Sequence, residues 1–151
     1  MLYQFFIVLQ TILFFYITLH DWIEARPFTD IQALRSKFTV KKIAFGSLVY
    51  TLIIGIPLYL TIAYPEMSLV VAGNICIFYA LTTLGTILSW WVPYFFGSSS
   101  EHKKEFAIFK NTHTFLPIRG TNVVPNTLHV ILHVQIWLCC IISFYYLYKA
   151  L

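Results

Sequence analysis

Four apolar runs dominate this sequence and limit what it can fold into. They are Leu2 to His20, Ile43 to Tyr64, Leu69 to Trp91 and Leu128 to Leu147. A helix needs roughly 20 apolar residues to cross the hydrocarbon core of a bilayer. Backbone groups in a bilayer must be hydrogen-bonded within the segment, and these runs do not alternate as barrel strands do. The sequence therefore predicts an all-α fold, in which residues 1–151 form one four-helix transmembrane bundle.

The composition agrees with a membrane protein and argues against a nucleic-acid partner. Charged residues make up only 11% of the chain, whereas soluble domains carry about 25%. The ten basic residues are few and are separated by apolar runs, so they do not form the basic surface that binds nucleic acid. The lipid bilayer is the predicted partner, and a bundle of this size is compatible with a homo-oligomer.

The basic residues set the predicted orientation. All lysines and arginines except Lys149 fall within the connections 21–42 and 92–127. Because positive residues favour the cytoplasmic side, both connections are predicted to form a cytoplasmic cap, with both termini outside the cytoplasm. The first run has neither a basic segment before it nor a cleavage site after it, so we expect a membrane helix rather than a signal peptide.

The first connection is predicted to contain a short surface helix. Thr29 and Gln32 fit a capping box, and Ile31, Leu34 and Phe38 would then share one face. The lysines and arginines around this segment suit contact with anionic lipid headgroups. A plain interfacial linker is the alternative interpretation.

Histidine placement gives the strongest indication of chemistry, because every histidine falls at or near the predicted cytoplasmic face. The five are His20, His102, His113, His129 and His133. His129 and His133 are four residues apart, a spacing by which one helix can give two ligands to one metal. His20 and Glu24 have the same spacing at the end of the first run. We therefore predict a metal site with His20, His129, His133 and Glu24 as ligands.

The predicted cofactor is zinc or another divalent metal, because three protein ligands plus water are typical of catalytic zinc. The metal would activate water or polarise a carbonyl or phosphoryl oxygen. Glu24 or Asp21 would move the proton, and Arg119 would hold a negatively charged group. The leading prediction is a metal-dependent, hydrolase-like membrane enzyme that acts on a lipid or amphipathic substrate at the cytoplasmic leaflet.

The segment before the last run is rich in hydrogen-bonding residues next to the membrane. From it we predict His113, Arg119, Asn122 and Asn126 as substrate-binding residues. Arg119 is suited to a phosphate or carboxylate, and Asn126 or Thr127 is the predicted N-cap of the last helix. In the alternative interpretation, Arg119 contacts lipid phosphate and Asn126 only caps.

The histidine pattern is similar in kind to that of the membrane zinc hydrolases of the alkaline ceramidase and adiponectin-receptor group. Those enzymes place HxxxH on a late helix and one histidine on an early helix near the cytoplasm. The matching positions here are His129 with His133, and His20. Because those enzymes have seven helices and this chain has four, the resemblance is an analogy for what the chemistry permits.

The sequence leaves three other roles open. One is a non-enzymatic accessory or receptor subunit that binds a partner or a lipid headgroup through the cytoplasmic loops. Another is a b-haem electron carrier, with the haem held between His20 and His133. In the third, the histidines only form hydrogen bonds between helices or lie in the headgroup zone.

Overall fold

The fold is all-helical in the computed structural model, which describes every residue of the chain, 1–151. In chain order the helices are α1 (Leu2–Leu19), α2 (Ile31–Lys37), α3 (Val40–Ala63), α4 (Leu69–Thr86), α5 (Val92–Phe96), α6 (Ser100–Phe106) and α7 (Thr127–Ala150). A π-helical turn, Ile87–Trp91, joins α4 to α5, and a 3₁₀ turn, Ala107–Phe109, follows α6.

Four segments are long and apolar enough to cross a membrane, which confirms the predicted four-span bundle. They are α1, α3, α7 and the continuous segment Leu69–Phe96. The third span extends beyond the predicted end at Trp91, because the π turn carries the helix on into α5. Helix α3 begins at Val40 rather than at Ile43, because Thr39 caps it by accepting a hydrogen bond from the amide of Lys42.

The four spans form a closed ring of antiparallel neighbours. Helix α1 packs along α3, α4 packs along α7, and contacts of α1 with α7 and of α3 with α4 complete the ring. The core between them is apolar and includes the fully buried side chains of Phe6, Leu13, Ile75, Tyr79 and Cys139. Packing of this kind holds helices together in lipid, where burial from water gives little driving force.

Two buried glutamines tie α1 to both of its neighbours. The Gln10 amide donates to Thr61 Oγ1 of α3 at 2.9 Å, and the Gln135 amide of α7 donates to the carbonyl of Leu9 at 2.8 Å. Because polar groups in hydrocarbon need partners, these bonds fix the positions of α1, α3 and α7 relative to one another along the bundle axis.

The first connection between spans, residues 20–39, and the third, residues 97–126, lie at the same end of the bundle, which we call the loop face. The two connections pack on each other: the Lys37 ammonium donates to the carbonyl of Glu105 at 2.7 Å, and the His113 amide donates to the carbonyl of Pro27 at 2.7 Å. The predicted loop cap is therefore present. Both termini and the turn 64–68 lie at the opposite end, and the cytoplasmic location of the loop face stays a prediction.

The short helix predicted in the first connection is present as α2, but its predicted cap is wrong. Asp30, not Thr29, is the N-cap, and its carboxylate accepts from the amide of Ala33 at 2.9 Å. The Thr29 hydroxyl instead accepts from the amide of Ala25 and closes the preceding turn. An aspartate one residue later supplies an equivalent acceptor, so the threonine is free for that turn.

Candidate functional site

His129 lies in the first turn of α7, where Asn126 orients it. The side-chain oxygen of Asn126 accepts from the amide of His129 at 2.9 Å, which confirms Asn126 as the N-cap, and lies 2.8 Å from Nδ1 of the same residue. Because an amide oxygen only accepts, Nδ1 carries the imidazole proton. The Nε2 atom of His129 therefore keeps a free lone pair, as a base or a metal ligand requires.

Thr112 fixes which way the Asn126 amide points. The Asn126 nitrogen donates to Thr112 Oγ1 at 2.9 Å, and that hydroxyl donates onward to the carbonyl of Phe109 at 2.6 Å. Asn126 is only 4% exposed, so its side-chain oxygen and nitrogen cannot easily swap hydrogen-bond partners. Through these hydrogen bonds, the position of the third connection determines how the His129 ring is oriented.

Aromatic rings from the π turn and the 3₁₀ turn pack against His129. The Trp90 ring lies 4.1 Å from the His129 ring, centroid to centroid, and the Phe109 ring lies 4.7 Å away. Trp90 belongs to the π turn, whose i→i+5 hydrogen bonds widen the helix and narrow the angle between successive side chains. The π turn thereby lets both Trp90 and Trp91 contact α7.

His133 lies one turn deeper than His129 and faces the helix interface. The indole Nε1 of Trp91 donates to Nδ1 of His133 at 3.2 Å. An imidazole that accepts at Nδ1 carries its proton on Nε2 and has no free lone pair. His133 is only 1% exposed, and its observed role is a hydrogen bond between the π turn and α7.

His20 ends α1 and presents both ring nitrogens to oxygen atoms. Its Nδ1 lies 3.1 Å from the carbonyl of Ile17, and its Nε2 lies 3.2 Å from a carboxylate oxygen of Asp21. The ring stacks on Tyr16, with centroids 5.2 Å apart. Tyr16 is four residues earlier on the same helix face, so the spacing alone could have identified it as a neighbour.

His20 and His129 line one small cavity of about 40 Å³ at the loop face, which we call the histidine pocket. Its walls come from the end of α1, from α2, from the 3₁₀ turn and from the start of α7. The lining includes Asp21, Asp30 and Asn126 but no lysine or arginine. As it stands the pocket has room for a few water molecules, since one water needs about 10–15 Å³.

A larger apolar groove of about 410 Å³ adjoins the histidine pocket on the outer side of α1. Its floor and walls include Ile12, Phe15 and Leu19, which are exposed at the surface that the bilayer would cover. The groove and the pocket share four lining residues, which are Tyr16, His20, Thr29 and Leu128. An apolar surface thus leads directly to the two histidines.

The predicted metal ligands do not come together as a group. No three His, Cys, Asp or Glu side chains lie close enough to hold a metal ion. Nδ1 of His133 is occupied by Trp91, and the Glu24 carboxylate accepts from Arg26 at 2.8 Å and from the amide of Ile31 at 3.1 Å. In this arrangement the side chains do not fit a metal or a haem held by His20 and His133. Both cofactors stay predictions that require these side chains to rearrange.

Arg119 and Asn122 lie outside the histidine pocket. The exposed Arg119 guanidinium lies over the rings of Tyr94 and Phe95, 5.2 and 5.0 Å from their centroids. Asn122 donates from its amide to the carbonyl of Tyr94 at 3.0 Å. These contacts hold the third connection against α5, and a substrate-binding role for either residue stays a prediction.

His113 joins the two connections to the start of α7. Its ring Nδ1 lies 2.7 Å from Thr127 Oγ1, and its carbonyl accepts from the amide of Thr127 at 2.9 Å. The ring also packs edge-on against Phe28, with centroids 5.5 Å apart. His113 therefore helps to position Phe28, which lines the histidine pocket, but does not line the pocket itself. Its substrate-binding role stays a prediction.

Comparison with known proteins gives no match: no protein family fits the sequence, and no curated protein or solved structure matches the chain. The helices and the site nevertheless define a class, that of α-helical multi-pass membrane proteins with a polar pocket at one end of the bundle. What the protein does must be inferred from its own residues.

Proposed function

We propose that the protein binds an amphipathic molecule from the adjoining leaflet at its loop face. The apolar chain would lie in the groove along α1, and the polar head would enter the histidine pocket. The observation that carries the proposal is the set of four residues common to groove and pocket. A continuous apolar-to-polar path of this kind matches a molecule with a tail and a head.

The lining of the pocket indicates what kind of head it suits. His129 offers a free lone pair at Nε2, and Asp21 offers carboxylate oxygens, while no lysine or arginine is present. A ligand must then supply hydrogen-bond donors and no negative charge. We therefore propose a head that carries hydroxyl or amine groups. The anionic headgroups predicted from the sequence suit the basic residues outside this pocket better.

Binding can be tested with simple single-chain probes. Native mass spectrometry of the purified protein should show that dodecylamine or dodecanol binds more tightly than dodecanoate. A Leu128→Trp variant, which fills the junction of groove and pocket, should lose that binding. Leu138→Trp is the matched control, because Leu138 is exposed on the same helix but lies outside the groove. Equal binding by both variants would refute the site.

A second candidate function is acid–base catalysis on the bound molecule, a metal-free form of the metal-dependent, hydrolase-like activity predicted from the sequence. Two oriented imidazoles at one pocket favour it. His129 Nε2 would accept a proton from an attacking water, and His20 Nε2 would donate one to the leaving oxygen or nitrogen. Neither step involves a metal. Asp21 lies 3.2 Å from that same Nε2, so it would stabilise the charged His20 ring until the leaving group takes its place at this nitrogen.

Turnover can be separated from binding by replacing His129 with glutamine, which keeps a polar side chain but cannot act as the base. With 2-aminoethyl dodecanoate as the probe, an ester whose head carries an amine, His129→Gln should lower the rate by roughly 10²–10⁴-fold. Dodecanol binding should persist, because the glutamine oxygen still accepts a hydrogen bond. If the variant hydrolyses the ester as fast as the unaltered protein, binding alone remains as the function.

A further inference from the structure

A second cavity lies within the third connection, on the other side of the wall formed by Phe109, Thr112 and Asn126. It measures about 370 Å³, within the range of roughly 300–1,000 Å³ that is typical of small-ligand sites. The wall residues are the only lining that it shares with the histidine pocket. We call it the lysine cavity, because Lys103 and Lys110 line it.

The charged residues that line the lysine cavity are basic, whereas the histidine pocket is lined by aspartates and by no lysine or arginine. No aspartate or glutamate lines the lysine cavity. The salt bridges in the structure are His20–Asp21 and Arg26–Glu24, so neither lysine has a carboxylate partner. Two ammonium groups without counter-charges in one concave space favour an anion.

Lys103 is held in place at the cavity. Its ammonium donates one hydrogen bond, to Thr121 Oγ1 at 2.7 Å, and an ammonium has three donors. Two of its donors therefore remain for a ligand. Because Thr121 accepts that bond, its own hydroxyl hydrogen is also free to donate into the same space.

Neutral donors complete the lining. The side-chain amides of Asn122 and Asn126 each donate one hydrogen bond within the protein, to Tyr94 and to Thr112. Each amide nitrogen therefore keeps a second hydrogen. Two cations, a hydroxyl and two amide donors together match a group with several acceptor oxygens and more than one negative charge, such as a phosphate.

We propose that the lysine cavity binds a phosphate-bearing ligand, separately from the amphipathic molecule of the histidine pocket. Lys103 and Lys110 would neutralise the phosphate, and Thr121, Asn122 and Asn126 would donate hydrogen bonds to it. Arg119, which the sequence predicted to hold a phosphate or carboxylate, does not line this cavity, and neither does His113, which was predicted as substrate-binding.

The test is a titration of the purified protein in uncharged detergent with pyrophosphate at constant ionic strength, followed by thermal unfolding. We expect saturable stabilisation. Lys103→Gln and Lys110→Gln should each weaken binding by about tenfold, because each removes one of the two positive charges that face the phosphate. Lys104→Gln is the matched control, because Lys104 follows Lys103 on α6 but does not line the cavity.

Two results would overturn the proposal: stabilisation that chloride reproduces at equal ionic strength, or an equal loss of binding in Lys104→Gln. The source of the phosphate is tested in nanodiscs of phosphatidylcholine with and without phosphatidic acid. Competition by phosphatidic acid would identify a lipid headgroup as the ligand, and unchanged pyrophosphate binding would identify a soluble one. Leu128→Trp should leave pyrophosphate binding intact, so failure of this site and failure of the amphipathic site are distinguishable.

Discussion

The indole of Trp91 and the imidazole of His133 form a hydrogen bond between the π turn and α7, with Nε1 and Nδ1 3.2 Å apart. This bond determines how the two histidines of α7 differ. His133 is committed to the helix interface, whereas His129, one turn earlier, keeps Nε2 free at the histidine pocket. A spacing of four residues therefore gives one structural and one chemically available imidazole.

Removing the Trp91 donor should destabilise the bundle. In Trp91→Phe the buried Nδ1 of His133 loses its partner, so we expect the free energy of unfolding to fall by about 1 kcal/mol. Unfolding in mixed micelles can measure this. A double-mutant cycle with His133→Leu isolates the pairwise contribution. Strictly additive losses would show that the two side chains do not interact.

Asn126→Ala should affect both stability and the geometry of His129. The substitution removes an N-cap, which contributes roughly 0.5–2 kcal/mol, and it also releases Nδ1 of His129 and the hydroxyl of Thr112. We expect a lower unfolding temperature and weaker dodecylamine binding. Asn111→Ala is the control, because Asn111 is exposed. Comparable effects in both variants would contradict the assigned role of Asn126.

Gln10 and Thr61 should respond asymmetrically to substitution. Thr61→Val leaves the amide of buried Gln10 without its acceptor and should cost about 1–3 kcal/mol. Gln10→Leu should be nearly neutral, because it also removes Oε1, a buried atom that has no hydrogen-bond partner. The double variant should regain most of the stability lost in Thr61→Val. A larger loss in Gln10→Leu than in Thr61→Val would refute this account.

Zinc content tests the metal site predicted from the sequence. Since the side chains do not form a ligand group, we expect the unaltered protein and a His129→Ala, His133→Ala variant to carry equal and negligible zinc. Elemental analysis of both after dialysis against zinc gives the answer. Stoichiometric zinc that disappears in the variant would establish a metal centre and a rearrangement of His133 away from Trp91.

The architecture was predictable because lipid imposes a strong rule on sequence. Each span must be apolar over a fixed length, so the four runs and the shared side of the two connections follow from composition and order. The N-cap at Asn126 was predictable for a similar reason, since a helix start needs a side-chain acceptor close in sequence.

The arrangement of the site was less predictable because it depends on which helix face meets which neighbour. Helical spacing places His129 and His133 on one face, but only packing decides that Trp91 reaches one of them and the pocket reaches the other. Likewise, Glu24 has the same spacing from His20, yet the turn after α1 directs it to Arg26. The π turn has no simple sequence signature, so contacts of two successive tryptophans with one helix were not anticipated.

The π turn at Ile87–Trp91 also makes this part of the chain tolerant of losing one residue. Its i→i+5 hydrogen bonds accommodate one residue more than an α-helical turn does. Deleting one residue there, for example Ser89, would therefore let a regular α-helix form while α5 keeps nearly the same orientation to α4. The third connection would stay beside the histidines that it covers, and only the side chains within the turn would change direction.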